Sequence, residues 1–159
     1  MEWMMETHAR IQTQRLGFMY AQEIARSGIG GPVVIGLVGE LGAGKTAFFQ
    51  GFARGLGVRE SVRSPTFVLI KTYSLCASKF QVPGSKFQIL VHIDCWRLKK
   101  PQELLRMGFR EIIKNSRAIV LIEWADRVRG MLPRRTLWLK FKHGRKPNER
   151  VIGFEIPKP

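Results

Sequence analysis

The chain has 159 residues, 45% of them hydrophobic, enough for one sizeable core and too apolar for a disordered protein. Lysine and arginine number 27 against 12 acids, a net charge of +15, which points to a polyanionic partner such as nucleic acid unless a basic proteome accounts for it. The longest strictly apolar run, Ala118 to Ile122, is far too short to cross a bilayer, so no membrane association is expected. Two cysteines, Cys76 and Cys95, exclude a disulfide framework and fit a reducing cytoplasm.

Residues 1–12 read as a flexible start without the apolar core of a secretory signal, which leaves residues 13–159 as a single domain. Thr13 is a candidate cap for a helix carrying Leu16, Met19, Tyr20 and Ile24, closed near Ser27-Gly28. Val33 to Val38 is a short β-branched apolar run, expected as a buried strand. It leads directly into Gly39-Glu40-Leu41-Gly42-Ala43-Gly44-Lys45-Thr46, which fits the phosphate-loop pattern G-x-x-x-x-G-K-[ST] at every fixed position. Phe48, Phe49, Phe52, Ala53 and Leu56 then recur at helical spacing up to Gly57.

Strand, glycine loop and helix is the context the motif needs. Its glycines let successive N–H groups of Gly42, Ala43, Gly44, Lys45 and Thr46 face one concavity, at the positive end of the following helix. Lys45 is placed to reach the β- and γ-phosphates and the Thr46 hydroxyl to ligate Mg²⁺. A nucleoside triphosphate is therefore the expected ligand.

Farther along, Ser64-Pro65-Thr66-Phe67 opens a strand running to about Ser74, in the place where triphosphatases carry a switch loop. Phe87 to Asp94 returns as a second strand after a Ser/Lys/Pro/Gly loop. Pro101 starts a helical pattern that Gly108 breaks in two. Ala118 to Glu123 is another buried strand, 124–132 a short helix or loop, and Thr136–Lys142 with Arg150–Ile156 a terminal antiparallel pair. The expected fold class is α/β, a P-loop NTPase-like mixed central sheet flanked by helices.

Aspartate occurs only at Asp94 and Asp126, so carboxylates for a metal are few. Glu123 ends a buried strand, where α/β folds place ligands, and is read as a Mg²⁺ ligand or water-orienting group. Asp94 ends the other apolar strand and is the second candidate for metal or water; His92 shares its strand face and reads as a structural group. A small-molecule kinase using the same loop is the alternative, with Arg127, Arg129, Arg134 and Arg135 as a short imitation of a lid. No N-K-x-D motif reads a guanine, and no zinc-finger, RRM or KH signature is present.

Taken together the motifs resemble one family, TsaE (YjeE), the bacterial ATPase of tRNA threonylcarbamoyladenosine formation. The resemblance rests on Gly39–Thr46 as the phosphate loop, Ser64–Phe67 as S-P-T-F, and His92–Leu98 as H-x-D-x-Y-R-L with Trp96 in the tyrosine position. Glu103-Leu104 through Gly108 and Ile122-Glu123-Trp124 complete the ordered set. It implies ATP hydrolysis, weak without partner proteins, in support of a TsaB–TsaD complex, with tRNA near that complex. It further implies phosphate contacts from Gly42 to Thr46, Mg²⁺ on Thr46 and Glu123 with Asp94 near, and Lys45, Glu123, Asp94 and Thr66 as the catalytic set. Trp124 belongs to the same face, and Thr13, Arg15 and Arg150 are the implied further nucleotide contacts.

Overall fold

The computed structural model describes residues 2–63, 69–76, 79 and 81–157. In chain order these form β1 (Glu2–Thr7), α1 (Arg10–Arg26), β2 (Val33–Gly39), α2 (Lys45–Gly55), β3 (Ile70–Ser74) and β4 (Ile89–Asp94). There follow α3 (Gln102–Arg106), α4 (Phe109–Ile112), β5 (Ala118–Glu123), a 3-10 helix (Ala125–Met131), β6 (Leu137–His143) and β7 (Arg150–Glu155). The strands make one sheet in the order β1-β7-β6-β2-β5-β4-β3. Its centre is parallel, with β2 between β5 and β6 and β4 beside β5, and both margins are antiparallel.

The central strands read as continuous apolar runs because helices cover both faces, so each alternate side chain enters a different core. Val33, Ile35 and Leu37 of β2, with Ile119 and Leu121 of β5, face α1 and α2, where Phe48, Phe49 and Phe52 pack on them. Val34 of β2, with Val120 and Ile122 of β5, faces the other side against Leu104, Phe109, Ala125 and Val128. Period-two alternation then puts His92, Asp94 and Glu123 on the α2 side of the sheet, at the carboxyl ends of their strands. The break at Gly108 is as expected: its φ of +79° ends α3 and starts α4 at Phe109.

The start of the chain departs from expectation. In place of a flexible 1–12, residues 2–7 pair with β7 from Glu2↔Glu155 to Thr7↔Arg150, and α1 begins at Arg10. Sequence patterning gives this strand no signal because both its faces are largely open: Trp3, Met4 and Met5 are exposed, and the strand is ordered mainly by backbone pairing with β7. Thr13 consequently caps nothing; it lies inside α1, buried, with its hydroxyl 2.8 Å from that of Thr7. Met19, expected on the inner face of α1, is exposed.

Helices α1 and α2 approach so closely that only glycine fits between them. A Cβ on Gly51 would stand 1.8 Å from the Gln14 carbonyl oxygen, and one on Gly17 would stand 2.1 Å from that of Phe48. This contact sets the beginning of α1 beside the phosphate loop.

Candidate nucleotide-binding site

The loop after β2 turns because its glycines take backbone conformations closed to other residues. Gly44 has φ +105° as it leads into α2, and Gly39, at φ +143°, lies so near Phe141 that a Cβ would come within 2.2 Å of its carbonyl oxygen. Helix α2 then begins at Lys45, and the N–H groups of its first turn have no carbonyl one turn earlier to bond. They point, with the positive end of the helix dipole, into the concavity of the loop. Ala43 serves the loop through its backbone alone, since its methyl group is fully buried in the α1–α2 core.

Lys45 is 4% exposed. Its ammonium donates to the carbonyls of Gly39 at 2.5 Å and Glu40 at 2.7 Å, and sits 3.9 Å from the ring centre of Trp124. Burial pushes its pKa below the ordinary lysine value, opposed by the negative charges of Glu123, Asp126, Asp94 and Glu40. Trp124 reaches the ammonium from an unusual backbone, with φ 57° and ψ 41°, the left-handed region that bulky residues avoid.

Glu123 ends β5 and is 3% exposed. Its two carboxylate oxygens have separate partners: Oε1 lies 2.9 Å from His92 Nε2, and Oε2 accepts from the Thr46 hydroxyl at 3.4 Å. Asp94 stands in register beside it on β4 and accepts the Trp96 N–H through Oδ1 at 2.9 Å.

These groups share one cavity of ≈ 520 Å³. Gly42, Gly44, Lys45 and Thr46 form one wall, Asp94, Trp96, Arg97, Glu123 and Trp124 the strand-end side, and Arg10, Thr13, Asn148 and Arg150 the side under α1 and the β6–β7 turn. Arg150 is fastened there by donating through Nε to the Gly42 carbonyl at 3.1 Å.

Most of the residues singled out in the sequence therefore meet. Arg15 does not: it is exposed on α1 and is no part of the cavity wall. At about 100° per residue it lies some 200° around the helix from Thr13. Arg10, three residues before Thr13, takes the place beside the loop. Recognising Arg10 from sequence needed the helix to start four residues earlier than a cap at Thr13 implies, with Ala9 in the capping position. Thr66 lies outside the described residues. Asn148 and the Lys45–Trp124 contact had no sequence signal, since both depend on distant chain segments meeting.

The donor set suits a hard cation. Among the described residues no three His, Cys, Asp or Glu side chains converge on one point. A hydroxyl and one or two carboxylates, all oxygen, match Mg²⁺, which retains waters and completes its shell with phosphate oxygens.

Known proteins share the sequence and the fold of this chain. A family profile described as "Threonylcarbamoyl adenosine biosynthesis protein TsaE" matches residues 7–152. The tRNA threonylcarbamoyladenosine biosynthesis protein TsaE of Haemophilus influenzae is 33% identical over 119 residues, covering 75% of this chain and 68% of that protein. Its counterpart in Bacillus subtilis is 36% identical over 121 residues, covering 76% and 68%. Among solved structures, YdiB of Bacillus subtilis superposes with a TM-score of 0.73 at 26% identity, covering 99% of this chain and 87% of that one. With the profile matched over most of its length and relatives above 30% identity, the chain belongs to the TsaE family.

Proposed function

We propose that the chain binds Mg-ATP and hydrolyses it to ADP and phosphate, in support of a TsaB–TsaD complex that forms threonylcarbamoyladenosine on tRNA. The observation that carries the hydrolytic reading is the meeting of Thr46 with Glu123 beside Lys45 at the strand ends. The biological setting rests on the family and on its relatives in tRNA threonylcarbamoyladenosine biosynthesis.

In this reading the loop amides from Gly42 to Thr46 grip the phosphates, and Lys45 exchanges its bonds to the Gly39 and Glu40 carbonyls for phosphate oxygens. Thr46 and Glu123 would hold Mg²⁺ with Asp94 beside it, and the ion would supply neutralisation of the phosphate charge. Asp94 and Glu123 also orient the attacking water, in a site whose burial strengthens each electrostatic contact. Thr13 and Arg150 flank the nucleotide on the α1 side. Thr66 is proposed as the γ-phosphate-sensing threonine.

The test is phosphate release from labelled ATP, with and without the TsaB–TsaD pair, alongside a tRNA modification assay. Release to water that rises with the partners supports the reading. Label appearing on a small metabolite would establish the kinase alternative instead.

A further inference from the structure

We infer that His92 is the positioning residue for the metal-holding carboxylate. It fixes the rotation of Glu123 so that one oxygen is committed to the imidazole and the other is turned to Thr46. The inference rests on the proposal that Glu123 holds Mg²⁺.

His92 is fully buried on β4, one strand away from Glu123 and on the same sheet face. Its ring lies against that of Phe49 on α2, with centroids 3.7 Å apart and planes 25° from parallel. That stacking fixes the plane of the imidazole, and of the two ring flips it allows, the contact with the carboxylate selects the one with Nε2 toward Glu123 Oε1 at 2.9 Å. Nδ1 is also buried and finds no hydrogen-bond partner among the described residues. The ring proton therefore belongs on Nε2, where a carboxylate accepts it, because a buried N–H without an acceptor at Nδ1 would be costly.

The consequence falls on Oε2. A carboxylate at a strand end, held by its Cα alone, rotates among rotamers and binds a cation through either oxygen. With Oε1 occupied by His92, Oε2 is the oxygen presented to the Thr46 hydroxyl, 3.4 Å away. Outer contacts of this kind typically govern metal affinity by about 10- to 100-fold. Lys45 cannot do the same work, since its ammonium is directed to the Gly39 and Glu40 carbonyls.

Four variants of the full chain test this: His92→Phe, which keeps a flat ring against Phe49; His92→Gln, whose side-chain amide reaches the Nε2 position; His92→Asn, which is too short; and Glu123→Gln. ADP affinity is measured by titration calorimetry with Mg²⁺ and with EDTA, and folding by thermal melting. The expected result is a loss of about 10-fold or more in the Mg²⁺-dependent gain for His92→Phe and His92→Asn, near-recovery in His92→Gln, and unchanged affinity in EDTA. If His92→Phe fails to fold, the Gln/Asn pair carries the comparison. Wild-type Mg²⁺ dependence in His92→Phe or His92→Asn, while Glu123→Gln loses it, overturns the role of His92. An unchanged Mg²⁺ dependence in Glu123→Gln overturns instead the reading of Glu123 as the metal's carboxylate.

Discussion

Thr46 and Glu123 lie 77 residues apart in the chain, yet the hydroxyl of one donates to the carboxylate of the other at 3.4 Å. Their meeting follows from the parallel pairing of β2 with β5, where Leu37 faces Glu123 across the ladder. The phosphate loop and the acid thus leave the sheet at the same end. If this pair holds the metal, Thr46→Ala and Glu123→Gln each lower the rate of ATP hydrolysis by on the order of 100-fold. Steady-state phosphate release measures it, and a rate within a factor of two of wild type would refute the assignment.

Lys45 is predicted to act on binding through a compact charge. Lys45→Ala should weaken ATP by about 10- to 100-fold, the range expected for losing hydrogen bonds to charged phosphate oxygens. Lys45→Arg should not restore it, because a longer side chain ending in a rigid, planar fork replaces the compact ammonium that now meets the Gly39 carbonyl and the Trp124 ring. Titration calorimetry decides both.

The α1–α2 contact should be intolerant of a single methyl group. Gly51→Ala places a carbon where the Gln14 carbonyl oxygen already stands 1.8 Å away, so one helix has to shift. A loss of about 1–3 kcal/mol is expected from overpacking, read as a lowered midpoint of thermal or urea unfolding. Because Arg10 and Thr13 of α1 line the nucleotide cavity, ATP affinity should fall in the same variant even where it remains folded.

The two thiols should differ sharply in reactivity. Burial, and secondarily the charge of Asp94, push Cys95 from its ordinary 9.0 up to about 12, whereas Cys76 is exposed. At pH 8 an alkylating reagent should therefore modify Cys76 in the native protein and reach Cys95 only after unfolding. Tyr20 is likewise raised by burial, from 10.0 to about 12. In both cases the folded state holds its proton more tightly than the unfolded chain. Their stabilisation is thus complete below about pH 9 and is lost as pH rises toward about 12. Melting midpoints across that range should decline, and Cys95→Ala should flatten part of the decline.

Much of the fold was legible where local chemistry and periodicity coincide. The loop Gly39–Thr46 specifies its own turn, because its glycines alone tolerate the required backbone angles. The buried run Ala118–Ile122 announces a central strand because a sheet covered on both faces admits apolar side chains at every position. Gly108 announced a helix break for the same local reason. By itself, then, the sequence determined the α/β class, the phosphate-binding loop, the two strand-end acids and the family.

Tertiary structure decided what depends on distant segments meeting. Strand β1 exists because β7 offers a pairing edge, and α1 therefore begins at Arg10, which turns Arg10 toward the site and Arg15 to solvent. The closeness of α1 to α2 hangs on Gly17 and Gly51, whose meaning in a linear reading is only that they weaken a helix. The arrangement around Glu123 is of the same kind. Which of its oxygens meets Thr46 and which meets His92 is set by strand register and by the ring of Phe49, a relation among three elements that no local pattern encodes.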